Sequence, residues 1–82
     1  MKALMLKVKA PYGEWISGFF RIKDKKIVEL YCNWYNNYLK DYEHFMRIEK
    51  VESSKDKKIR KFKNNHSIDY YENFMEYLKN NS

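Results

Sequence analysis

Trp15-Ile16-Ser17-Gly18-Phe19-Phe20-Arg21-Ile22, then Lys23-Asp24-Lys25-Lys26, then Ile27-Val28-Glu29-Leu30-Tyr31-Cys32: two apolar runs rich in β-branched and aromatic residues flank a charged step. That pattern predicts a β-hairpin. Side chains alternate across a strand, so Ile16, Phe20, Ile22, Val28, Leu30 and Cys32 fall on one face, a core face. Trp15, Ser17, Phe19, Arg21, Glu29 and Tyr31 fall on the other, which mixes rings with charge.

On the N-terminal side, Lys2 to Lys9 alternates as well, with Leu4, Leu6 and Val8 opposed to Lys7 and Lys9. This is a half-buried strand, ended by Pro11 and Gly13. No helix fits between it and Trp15, so the first two strands are antiparallel neighbours and the first three elements form a three-stranded antiparallel meander.

On the C-terminal side two readings stay open. Trp34, Tyr35, Tyr38, Leu39, Tyr42, Phe45 and Met46 have helical spacing, with Asn33 as an N-cap. The same Tyr-rich segment would also suit extended chain, turning at Asn36-Asn37. Arg47 to Glu52 then reads as a strand, Ser53 to Asp56 as a turn, and Lys57 to Lys63 as a second strand, together a basic β-hairpin. Ser67 or Asp69 caps a C-terminal helix; Asp69 and Glu72 have capping-box spacing, and Ile68, Tyr71, Phe74, Met75 and Leu78 form its apolar stripe. The expected fold is a single α+β domain over residues 1–82.

Size and charge bound the function. A chain of 82 residues buries only about 60–65 per cent of the surface its unfolded form exposes, which leaves little room for a deep catalytic cleft. The single cysteine, Cys32, excludes an intrachain disulfide and suits a reducing, cytoplasmic setting. The apolar run Ala3 to Leu6 is too short for a signal peptide or a membrane span, so no membrane partner is expected. The net charge of +6 and pI near 9.4 favour anionic partners. Lysine outnumbers arginine, and Asn, Ile and Tyr are plentiful. This is the usage of an AT-rich genome, as in low-GC bacteria, their phages and plasmids, or archaeal viruses, and such a genome supplies lysine to every protein.

Three surface features carry functional readings. Lys55, Lys57, Lys58, Arg60, Lys61 and Lys63, broken only by Asp56, Ile59 and Phe62, form a basic tongue between acidic flanks, and an exposed edge is expected. It reads as a phosphate-backbone contact or as an edge strand whose lysines prevent sheet-to-sheet pairing. Lys7, Lys9, Trp15, Phe19, Arg21 and Tyr31 combine rings with cations, the recipe for single-stranded nucleic-acid recognition, unless a helix packs over them. The many tyrosines suit a protein interface.

No paired metal ligands and no glycine-rich phosphate loop occur, so no cofactor is expected. Cys32 reads as an inert thiol, and His44 or His66 could serve a small ribonuclease only in the generic way open to any basic domain. The leading expectation is a non-catalytic protein that binds nucleic acid or a ribonucleoprotein. The alternative is a phage- or mobile-element-encoded inhibitor of anti-defence type, such as an anti-CRISPR, that blocks a host protein with an acidic or nucleic-acid-binding surface.

Overall fold

The alternation of residues 2–9 forms the central strand of the sheet. In a computed structural model describing residues 1–39, 43–54, 56–64 and 67–81, β1 spans Lys2–Ala10 and β2 spans Gly13–Phe20. They pair antiparallel through the two-residue turn Pro11-Tyr12, as expected. Gly13 follows that turn at φ +149°, a region that residues with a Cβ seldom enter.

The chain then departs from the expected meander. Residues 27–32 are helical: α1 spans Lys25–Tyr38, entered through a short 3₁₀ turn over Ile22–Asp24. The reason lies in the same residues. Val28, Tyr31, Cys32 and Tyr35 stand at helical spacing, and all four are buried on one face of α1. A strand would instead have buried Leu30, which is 53% exposed. Asn33, expected as an N-cap, lies inside this helix, and Phe45 and Met46, expected on a helical stripe, begin a strand. Tyr42, assigned to that stripe, lies outside the described residues.

The third strand is β3, Phe45–Glu52, and it pairs antiparallel with the other side of β1. The basic segment makes no hairpin with it. It crosses to the opposite edge, where β4, Ile59–Arg60, runs parallel to β2. The result is a mixed four-stranded sheet of order β3-β1-β2-β4. Phe62 directs the crossing. It sits in a second 3₁₀ turn, Phe62–Asn64, fully buried against Phe20, Tyr31, Tyr71 and Phe74, and its N–H donates to Asp24 Oδ2 at 3.0 Å.

The last element, α2, spans Tyr71–Asn80. Of its expected apolar stripe, Tyr71 and Phe74 are buried and Met75 and Leu78 half-buried on the helix, while Ile68, also buried, lies in the turn before it. The expected cap is not. Tyr70 occupies the N-cap position at φ 61° with no side-chain cap bond, while the Asp69 carbonyl accepts the Tyr31 hydroxyl. The contact between α1 and that carbonyl holds the turn in a left-handed conformation that Tyr adopts only under tertiary constraint.

One layer of helices therefore covers one face of the sheet. Leu4, Leu6, Val8, Phe20 and Met46 meet Val28, Tyr31, Cys32 and Tyr35 of α1 and Tyr71 and Phe74 of α2 in a single core. Asn36 fastens α1 to β3 in the manner of a peptide group: its Nδ2 donates to the Met46 carbonyl at 2.9 Å and its Oδ1 accepts the Met46 N–H at 2.7 Å. Among the described residues no helix is long and apolar enough to cross a membrane.

Burial sets a pH limit on this core. Loss of solvation pushes the Cys32 thiol up from 9.0 to about 11 and the Tyr35 hydroxyl from 10.0 to about 12, and raises the Tyr31 hydroxyl for the same reason. Each group holds its proton more tightly folded than unfolded. The stability they lend is complete below their unfolded values and is lost as pH rises through the folded ones. The urea midpoint is expected to hold from pH 7 to 9 and to fall between pH 9 and 12, read by tryptophan fluorescence; a midpoint unchanged at pH 11 would contradict the burial of these groups.

Candidate functional site

The register of the strands defines the face that no described helix covers. In β1 it carries Ala3 and Met5, which are buried even on this side, and the more accessible Lys7 and Lys9, because Leu4, Leu6 and Val8 point to the helices. Residues opposite one another in antiparallel strands share a face, which adds Phe45, Arg47, Glu49 and Val51 from β3. From β2 it takes Glu14, Ile16 and Phe19, and from β4 Ile59. Simple alternation in β2 would not place Ile16 and Phe19 together. The register slips between Leu6 and Lys7, with Leu6 opposite Gly18 and Lys7 opposite Ile16, so Ser17 is an extra residue in a bulge.

That bulge corrects the expected ring face. Trp15 pairs with Val8 and lies on the helix side, stacked on Tyr12 at 6.1 Å and edge-on to His44 at 5.3 Å. Ile16, expected in the core, is 51% exposed on the open face. Tyr31 is fully buried in α1. Lys7, Lys9 and Phe19 do share the open face, whereas Arg21 follows β2 and lines a surface cavity of about 380 Å³ with Met1, Lys2, Ile22, Lys23 and Ile59.

Charge on the open face is ordered. Glu14 takes Lys7 at 3.2 Å and Arg47 at 3.4 Å, and Arg47 Nε also donates to Glu49 at 2.9 Å. The hydrogen bond from Lys7, then that from Arg47, holds the Glu14 carboxyl below its usual range. Four cations, Lys7, Lys9, Arg47 and Lys57, thus stand with two carboxylates. Among the described residues Lys9 and Lys57 meet no carboxylate; the Lys57 ammonium instead lies 5.3 Å above the Phe19 ring.

That cation–π contact joins the sheet face to the basic segment. Lys57, Lys58, Arg60, Lys61 and Lys63 are all exposed along the β4 edge, in keeping with the expected exposed edge. Arg60 is anchored by donating to Ser67 Oγ at 2.8 Å, and the Lys63 carbonyl accepts the Tyr71 hydroxyl at 3.0 Å. Lys55 lies outside the described residues.

Phe45, Ile16 and Arg47 are the members that sequence reasoning missed. Phe45 is 57% exposed. The signal was the alternation Phe45, Arg47, Glu49, Val51, hidden because Phe45 and Met46 also fit a helical stripe.

The remaining candidates are spoken for. His44 bonds Tyr12 through Nε2 at 2.8 Å and Tyr35 through Nδ1 at 3.1 Å, while His66 lies outside the described residues. Cys32 is buried and directs its thiol at the Met46 carbonyl, 3.2 Å away. Among the described residues no group of three His, Cys, Asp or Glu could hold a metal ion. Tyr31, Tyr35 and Tyr71 are interior, whereas Tyr12, Tyr38 and Tyr70 are exposed. No protein-family model, no curated protein and no solved structure matches this chain.

Proposed function

We propose that the protein is a non-catalytic nucleic-acid-binding domain, acting on free nucleic acid or on a ribonucleoprotein, and that its ligand lies along the β4 edge and over the open sheet face. The observation that supports this most is a juxtaposition. The lysines of 57–61 are exposed beside β2, and Lys57, on the Phe19 ring, joins Lys7, Lys9 and Arg47 on the side of the sheet away from the helices. A chain with net charge +6 concentrates cations along a face that also offers rings.

The test is direct: fluorescence anisotropy of labelled single-stranded RNA, single-stranded DNA and duplex DNA at about 50 and 200 mM salt. Each phosphate neutralised releases counterions, so affinity is expected to drop by orders of magnitude across that interval. Absence of binding at the lower salt would refute the proposal.

A second reading, blockade of a host protein, is favoured by one feature. Leu30 and Tyr38 are 53% and 61% exposed on the same stripe of α1 as Trp34, and Tyr38 packs on Tyr77 at 5.4 Å. Should nucleic acid fail to bind, alanine scanning would begin there.

A further inference from the structure

We infer that the ligand is single-stranded, and that Phe45 and the Arg47 guanidinium are the platforms on which its bases stack. The assignment rests on the nucleic-acid reading and adds to it the strand type and the residues that select it.

Of the described rings on the open side of the sheet, Phe45 is the exposed one, whereas Tyr12, 77% exposed, stacks on Trp15 at the β1–β2 turn. Trp15 is on the helix side, Tyr31 is buried, and the Phe19 ring is half-buried beneath Lys57. Phe45 is 57% exposed at the edge strand β3, and Arg47 stands two residues on, on the same face. Two residues of strand separate these groups by roughly 7 Å. Arg47 differs from an ordinary phosphate clamp. Its Nε is taken by Glu49 at 2.9 Å and its Nη1 by Glu14 at 3.4 Å. Two of its five N–H donors are thereby turned to carboxylates, which orient the side chain at 35% exposure. A guanidinium pinned in this way presents a fixed plane, and bases stack on such planes as they do on aromatic rings.

The cations are placed to hold the backbone beside those planes. Lys9 is opposite Phe45 and Lys7 opposite Arg47, at the roughly 5 Å spacing of directly opposed residues. Lys9 meets no carboxylate among the described residues. Ile16, opposite Lys7 on the far side and 51% exposed, extends the apolar floor. A duplex hides the faces of its bases and is read by an element that enters a groove. Both described helices pack on the other side of this sheet, so no helix stands on the open face to enter a groove, and what that face presents is an exposed ring beside cations.

The test measures anisotropy of a labelled single-stranded RNA of about 8 nucleotides, the same DNA sequence, and a duplex of that sequence, against wild type and variants. Phe45→Ala is expected to weaken single-strand binding by roughly 5- to 100-fold, the range for removing one stacking ring. Its salt slope should not change, because no cation is lost. Arg47→Lys, which keeps the charge and loses the plane, is expected to weaken the single strands likewise, and Phe45→Trp to retain them. Circular dichroism melts check that each variant is folded; Phe45→Trp keeps the test decisive if Arg47→Lys disturbs the carboxylate network. Single-strand affinity unchanged in folded Phe45→Ala would overturn the assignment. So would a duplex bound more tightly than either single strand, although nucleic-acid binding itself would then stand. No binding of any probe by wild type would overturn both.

Discussion

Phe62→Ala is expected to cost about 3–5 kcal/mol of folding stability, the range for deleting a buried aromatic ring. Phe62 is fully buried, with its ring centroid 5.4 Å from Phe20, 5.6 Å from Tyr31, 5.7 Å from Tyr71 and 6.1 Å from Phe74. It thus contacts β2, both helices and, through its N–H, Asp24 at the entry to α1. A chain of this length commonly has a total stability of about 4–12 kcal/mol, so the loss is a large share of the whole. Phe62→Leu, which retains most of the volume, should cost about 1–1.5 kcal/mol. Urea unfolding followed by tryptophan fluorescence measures both. A loss below about 1 kcal/mol for the alanine variant would mean that Phe62 is not the joint between sheet and helices. The position also bears on binding, because Phe62 anchors the basic segment next to β2.

Replacing Lys57, Lys58 and Lys61 together with Ala is expected to lower nucleic-acid affinity by about two to three orders of magnitude at 50 mM salt. It should also make the slope of log K against log salt shallower by about 2, since each lost phosphate contact on a single strand accounts for about 0.7. All three lysines are exposed and Lys57 loses its contact with the Phe19 ring, so stability should change by no more than about 1 kcal/mol. Arg60 is left in place because its bond to Ser67 ties the edge to the segment before α2. A folded triple variant that binds with an unchanged slope would place the phosphate contacts elsewhere.

What the sequence disclosed follows physical lines. The strand of Leu4, Leu6 and Val8, its turn at Pro11-Tyr12 and the stripe of α2 were legible because each depends on residues close in the chain. Residues 27–32 were not. Val28, Leu30 and Cys32 alternate like a strand while Val28, Tyr31, Cys32 and Tyr35 repeat like a helix, and only the sheet that receives them decides between the two. The edge chosen by the basic segment was equally hidden, since it depends on a pocket for Phe62 assembled from β2, α1 and α2. The exposure of its lysines could be read directly. For the candidate site, Lys7, Lys9 and Phe19 were found by alternation, whereas the bulge at Ser17 moved Trp15 away and brought Ile16 in. Phe45 and Arg47 join them only through the pairing of β3 with β1, a contact between distant parts of the chain that no periodicity encodes.

The most direct measurement is a titration of the ¹⁵N-labelled protein with a short single-stranded oligonucleotide, followed amide by amide in heteronuclear NMR spectra. Shifts are predicted at Lys7, Lys9, Phe19, Phe45 and Arg47 and along Lys57 to Lys61, with the exposed residues of α1 and α2 left unmoved. Shifts concentrated on Leu30, Trp34, Tyr38 and Tyr77, or none at saturating oligonucleotide, would contradict a nucleic-acid surface on the open face of the sheet.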